Sequence, residues 1–202
     1  MPHADVLIIG AGAAGLTAAI FAGEAAQGTG RRIVLLDGAR KPGAKILVSG
    51  GGRCNVTNER VTPEDFCGGP RPTIRKVLRA FDEHRTLDWM RSLGVDLVLE
   101  PTGKYFPREN KARAVLNALM RRIDQLGVEL HAGQRVARLQ PPDGDGDFRV
   151  EVKGGTEPWT AGRLVLATGG LSLPKSGSDG WGLDAARRLG HSIVPTSPSL
   201  AP

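Results

Sequence analysis

Three places in this sequence combine residue types and spacings that suit the binding of a phosphate-bearing ligand. The first is Gly10-Ala11-Gly12-Ala13-Ala14-Gly15, which directly follows the apolar run Val6–Ile9 and opens a small-residue stretch from Leu16 to about Ala26. A glycine turn between a strand and a helix presents bare N–H groups and the positive end of the helix dipole to a pyrophosphate. Gly10 is expected to permit the tight turn, Gly12 to let the phosphate reach the backbone, and Gly15 to let the helix lie close to the strand. Ala11 and Ala14, in the same turn, are expected contacts of the same ligand. Asp37 ends a second apolar run, Ile33–Leu36, and is followed by Gly38. A carboxylate there accepts hydrogen bonds from ribose hydroxyls and disfavours a 2′-phosphate, which points to FAD or NAD over NADP. An Asp that only starts a turn is the simpler alternative.

The second place runs from Lys41 to Asn58 and contains Lys45, Ser49, the triplet Gly50-Gly51-Gly52, then Arg53, Cys54 and Asn55. Bare glycine N–H groups beside a guanidinium suit a phosphate or an electron-rich ring edge. A solvated glycine loop is the alternative. The third place is Ala167-Thr168-Gly169-Gly170, after the apolar stretch Arg163–Leu166. It reads as another strand end at the carboxyl edge of a parallel sheet, where ligands collect. Two such strand-end glycine motifs favour FAD over a nicotinamide coenzyme alone.

The block Lys45-Ile46-Leu47-Val48-Ser49-Gly50-Gly51-Gly52-Arg53-Cys54-Asn55-Val56-Thr57-Asn58 resembles the signature of the BaiN-like family of NAD(P)/FAD-dependent oxidoreductases. The similarity continues through Gly103–Pro107, Ala167–Gly170, Gly180-Trp181-Gly182 and Leu189-Gly190-His191, and so covers nearly the whole chain. What it implies is a glutathione-reductase-like FAD domain in a two-domain flavoprotein, with Ser49 to Asn55 lining the cofactor. It also implies that the backbone of Val136 passes the adenine, and that Ala167–Gly170 helps hold the adenosine pyrophosphate. NAD(P)H is the electron donor the resemblance suggests, with a small organic molecule as the alternative source of hydride. The chain departs from the family at Ser176-Gly177-Ser178-Asp179-Gly180, shorter than the usual Ser/Thr-rich stretch. It also ends at Ser197–Pro202 in what reads as a loop, so a fragment completed by a C-terminal segment or a separate chain is one expectation.

Positioning these residues requires a Rossmann-type α/β sheet. The expected elements are strands at Val6–Ile9 and Ile33–Leu36 around the first helix, and a loop-rich stretch from Gly38 to Asn58. A connection from Pro63 to Pro72 leads to an amphipathic helix with Ile74, Val77, Leu78 and Phe81, then a helix capped by Thr86 and closed by Gly94. A short strand is expected at Val95–Leu99, a turn at Thr102-Gly103, and a helix from about Lys111 to Leu126. After strands at Val128–His131, Arg135–Leu139 and Phe148–Val152, a short strand near Trp159 leads into Arg163–Ala167. The part from about Arg135 to Trp159 is expected to be a small antiparallel excursion. The last helix is expected from about Gly182 to Leu189.

The 202 residues carry a net charge of +6, with 28 glycines and two cysteines. The basic residues Arg71, Arg75, Lys76, Arg79, Arg108, Lys111, Arg113, Arg121 and Arg122 read as solvated helix faces, so nucleic acid is not the expected partner. Flavoprotein action on tRNA is kept as an alternative. Cys54 and Cys67 are thirteen residues apart, too far for a close dithiol, and no metal-ligand spacing is visible. No signal peptide or membrane-length apolar stretch is seen, which makes a cytoplasmic location the default expectation. No Ser-His-Asp arrangement emerges, and no catalytic residue is assigned.

Overall fold

The computed structural model describes residues 1–172 and 177–196. The expectations at Ser176 and Ser197–Pro202 lie outside the described residues. In chain order the elements are β1 (His3–Ile9), α1 (Ala13–Ala26), β2 (Ile33–Asp37), α2 (Ala44–Gly52), β3 (Thr57–Asn58), a 3-10 turn (Pro63–Asp65), α3 (Arg71–Ala80) and α4 (Glu83–Ser92). They continue with β4 (Leu97–Leu99), β5 (Lys104–Pro107), α5 (Ala112–Gln125), β6 (Glu129–Ala132), β7 (Val136–Gln140), β8 (Phe148–Val152), β9 (Trp159–Leu166) and α6 (Trp181–Arg188). Two compact units result. Among the described residues the first is Met1–Lys45 with Leu119–Ile193, and the second is Ile46–Ala118 with residues 194–196.

The first unit is built on a six-stranded sheet in the order β6-β2-β1-β9-β8-β7. β6, β2, β1 and β9 are parallel, while β8 pairs antiparallel with β9 on one side and with β7 on the other. Continuous apolar runs form the central strands because both faces are covered. Leu7, Ile8, Val34, Leu35 and Leu36 are fully buried. Each such side chain contributes roughly 1.5–3 kcal/mol over leaving it exposed. One core cluster joins Leu7, Ile9, Val34 and Leu36 to Val136, Val150, Val152 and Trp159. α1 buries Leu16, Ala19 and Ile20 along one stripe, with Gly23 closing against Leu126 and Val128.

Register decides where the chemistry falls. Ile9 pairs with Leu36 on one side and with Leu166 on the other, so β1, β2 and β9 end level. Gly10, Asp37 and Ala167 therefore share one edge of the sheet.

The structure changes several expected elements. The antiparallel part is found where expected and belongs to the main sheet: β8 and β7 extend it beyond β9, with an irregular register between Val136 and Arg138. The segment at Trp159 and the Arg163 segment are one unbroken strand, β9. The stretch from Gly38 to Asn58 contains α2. Asp82, not Thr86, caps α4: its carboxylate accepts from the Arg85 N–H at 2.8 Å, while the Thr86 hydroxyl bonds the Asp82 carbonyl. Asp82 wins because its short carboxylate reaches the first-turn N–H groups from an extended backbone.

The second unit holds a three-stranded sheet, β3-β5-β4, whose strands are all antiparallel. Tyr105 sits on its central strand, opposite Thr57 and Leu99. Among the described residues no helix is long and apolar enough to cross a membrane, and no cluster of candidate metal ligands occurs.

Candidate functional site

In the first unit, the Gly10–Gly15 turn joins β1 to α1. Gly10 has φ +106°, and a Cβ there would sit 2.5 Å from the Ala167 carbonyl oxygen. A Cβ on Gly15 would collide with the Gly10 carbonyl. Both are required by the backbone itself, since a side chain is strained at that φ and has no room at that approach. Gly12 is different. Its backbone is extended, at φ −86° and ψ −167°, and among the described residues nothing lies within 4 Å of a Cβ placed on it. It caps α1 without a side-chain hydrogen bond, and the first turn contains no acid. The helix thus begins with no side-chain cap at Gly12 and with free space beside that residue, an arrangement suited to an anion.

Asp37 closes the other side of the turn. Its carboxylate accepts from the Ala11 N–H at 2.5 Å and from the Ala39 N–H at 2.7 Å. Each oxygen keeps a further lone pair for a ribose hydroxyl. The two readings of Asp37 from sequence, turn former and ribose acceptor, are therefore compatible. Gly38 lies under the Arg135 side chain, whose Cδ would be 2.8 Å from a Cβ there. Arg135 in turn pairs with Asp179 at 2.5 Å, and Asp179 also accepts from the Trp181 N–H.

At the end of β9, the Ala167 N–H donates to the Ile9 carbonyl at 2.8 Å, which keeps the third motif beside the first. Gly169 faces the buried Ser178 and the Lys45 ammonium, and Lys45 reaches Ser172 at 3.3 Å. Gly182, at the start of α6, is bare because a side chain would strike the Thr168 hydroxyl. The structure thus gathers Gly10, Ala11, Gly12, Ala14, Gly15, Asp37, Gly38, Lys45, Ala167, Thr168, Gly169 and Gly170 in one unit. Val136 is in this unit too, buried in the core with 4% of the residue exposed. Arg135, Asp179 and Ser178 were not singled out in the sequence as site residues. Arg135 and Asp179 are 44 residues apart, so no local spacing announces them.

The Ser49–Asn55 block belongs to the second unit. Helical geometry stops at Ser49, and Gly50, Gly51 and Gly52 all have positive φ, at 56°, 69° and 86°. Three successive left-handed residues account for the triplet by conformation alone. The turn is held by the Cys54 N–H donating to the Ser49 carbonyl at 2.9 Å. Arg53 is engaged inside the unit: its guanidinium donates to Glu100 at 2.6 Å and lies 3.9 Å from the Phe106 ring centre. Burial pushes the Cys54 thiol above its ordinary value, partly offset by a hydrogen bond with Ser49. That fits a packed residue better than an activated thiolate. The Asn55 amide nitrogen donates to Asn58, while its buried Oδ1 has no partner among the described residues.

A mostly parallel sheet with a glycine turn, a helix N-terminus and an acid at adjacent strand ends is the arrangement of a Rossmann-type fold. Residues 4–198 match the HI0933-like protein Rossmann domain family, and the chain belongs to that family. This agrees with the resemblance drawn from the Lys45–Asn58 block. Among curated relatives, the ribosomal RNA dihydrouridine synthase of Escherichia coli is 33% identical over 100% of this chain and 48% of its own length. The 3-dehydro-bile acid delta(4,6)-reductase of Clostridium scindens is 36% identical over 96% of this chain and 46% of its own. The chain therefore spans about half the length of these relatives. Among solved structures, the 3-ketosteroid-delta4-(5alpha)-dehydrogenase of Rhodococcus jostii RHA1 superposes with a TM-score of 0.69 at 19% identity, covering 95% of this chain and 55% of that one. A flavocytochrome c3 fumarate reductase gives 0.65 at 21%, covering 96% and 41%. At these identities the likeness shows the fold.

Proposed function

We propose that this chain forms the FAD-binding part of an oxidoreductase that reduces a carbon–carbon double bond conjugated to a carbonyl. The observation that carries the cofactor is Gly12, which offers an open, uncapped helix N-terminus beside Asp37. The N–H groups of α1 would hold the pyrophosphate, and the free lone pairs of Asp37 the adenosine ribose. Ala167–Gly170 would border the same ligand at the end of β9, with the Lys45 ammonium beside Gly169. Bound there, the flavin would supply hydride transfer between NAD(P)H and an organic acceptor.

The acceptor class comes from the two relatives named above. One name specifies dihydrouridine, which is uridine with hydrogen added across the C5–C6 bond conjugated to the C4 carbonyl. The other specifies reduction of double bonds in a 3-oxo steroid. Both are additions of hydrogen to a polarised C=C bond.

The test is an absorbance spectrum of the purified chain after incubation with FAD and desalting. A retained flavin band that disappears in Gly12→Val supports the cofactor site. A colourless wild-type protein overturns it. NADH and NADPH oxidation in the presence of a simple enone then tests the proposed reduction.

A further inference from the structure

Most arginines with partners in this protein sit in close ion pairs, among them Arg32 with Glu129, Arg53 with Glu100, Arg122 with Glu24 and Arg135 with Asp179. α3 departs from that pattern. Its ten residues include Arg71, Arg75, Lys76 and Arg79 and no acid. Arg71 is 3.7 Å from Glu64, with both side chains more than half exposed, and among the described residues Arg75, Lys76 and Arg79 have no ion pair. No residue of α3 is buried.

The arrangement does not serve the helix. Arg71, Arg75 and Arg79 follow one another at i, i+4 spacing, where like charges repel. Arg71 also stands at the positive end of the helix dipole, the unfavourable end for a cation. At 3.6 residues per turn, Arg75, Lys76 and Arg79 fall within an arc of about 100°, away from the half-buried Ile74 and Leu78. The result is an exposed cationic stripe in which, among the described residues, Arg75, Lys76 and Arg79 form no ion pair.

We propose that this stripe is a contact surface for a phosphodiester backbone, and that the partner is RNA. The proposal rests on the reading above, since the uracil C5–C6 bond is one of the conjugated bonds such an enzyme would reduce. A steroid acceptor would have no use for the stripe. An anionic membrane fits less well, because the cations lie on the side of α3 opposite its apolar residues, whereas an interfacial helix buries that apolar side.

The probe is a fluorescein-labelled, uridine-containing RNA stem-loop of about 30 nucleotides, followed by anisotropy at several salt concentrations. Binding of the 202-residue chain should weaken steeply as salt rises. The triple variant Arg75→Gln, Lys76→Gln, Arg79→Gln should lower the log–log salt slope by about 2–3 and weaken binding at least tenfold. A control triple of equal charge change on exposed residues of β7, β8 and the turn after β8, namely Arg138→Gln, Arg149→Gln, Lys153→Gln, should bind within twofold of wild type. Circular dichroism checks that all three proteins fold alike. Absence of RNA binding, equal losses in both triples, or tighter α3-dependent binding to phosphatidylserine vesicles would each overturn the proposal. Flavin retention is read on the same samples: its loss with RNA binding intact refutes the cofactor reading and leaves the surface standing.

Discussion

Substituting Gly12 by Ala separates what the fold needs from what a ligand needs. The backbone at Gly12 suits any L-residue, and its Cβ meets nothing within 4 Å among the described residues. Losing glycine's unfolded-state freedom favours Ala by roughly 0.4–1 kcal/mol, while Ala is a poorer N-cap by a similar amount. Stability should therefore stay within about 1 kcal/mol, a melting shift of no more than about 4 °C. The new methyl group occupies the space where a pyrophosphate would meet the α1 N–H groups. Losing one charge-assisted hydrogen bond costs about 1.5–3 kcal/mol, or about 10- to 100-fold in FAD affinity. Fluorescence titration of FAD and thermal melting on the same sample measure both quantities. Gly15→Ala is the contrast, because its methyl group must displace the Gly10 carbonyl and should cost several kcal/mol of stability. FAD affinity unchanged in a well-folded Gly12→Ala protein would refute the reasoning.

Three further outcomes are expected. Arg53→Ala should destabilise the second unit by about 1–2 kcal/mol, from the lost Glu100 pair and Phe106 ring contact, seen as a lower urea midpoint. The Arg32 hydrogen bonds hold the Glu129 carboxyl well below its ordinary 4.5, at about 2. Because the folded value is the lower one, the stabilisation is complete above about pH 4.5 and disappears as pH falls toward 2. Its partners are more than one-third exposed, so it should be worth no more than about 1 kcal/mol, and Arg32→Gln should flatten the melting temperature over that window. Finally, a thiol titration at pH 8 should show exposed Cys67 reacting first and buried Cys54 much more slowly, with equal rates disproving the packed placement of Cys54.

Much of the fold was legible because its signals are local. Val6–Ile9 and Ile33–Leu36 are apolar runs bounded by turns, and the Gly10–Gly15 spacing sits directly between them. The elements that were missed have short or mixed signals. α2 keeps helical geometry only up to Val48 before the glycines take over, too few turns to show a period. β5 ends in Pro107 and follows a glycine turn, so Lys104–Pro107 reads as loop until β3 and β4 pair with it. The site was legible where one residue type answers one backbone need, as at Gly10 and Gly15. It was not legible where partners meet through the fold: Glu100 is 47 residues from Arg53, and that pairing gives the guanidinium a structural role beside the one expected from its neighbours. The glycine triplet likewise has a conformational reason that sequence alone did not distinguish from ligand approach.

The order of strands also bears on how the chain is made. β1 lies between β2 and β9, and its pairing with β9 begins at His3 opposite Thr160. At ribosomal rates of roughly 5–20 residues per second, β1 waits about 8–30 s for that neighbour. The body of the second unit, Ile46–Ala118, is continuous and emerges in the interval. For that time Leu7, Ile8 and Ile9 present an open, apolar strand edge of the kind that pairs with other chains. Ribosome-arrested chains ending before Trp159 should be cleaved readily by protease within β1 and β2, and chains in which Leu166 has cleared the exit tunnel should resist. The strand that sets Ala167 beside the Gly10 turn is thus also the one whose arrival covers the exposed edge of β1 in the nascent protein.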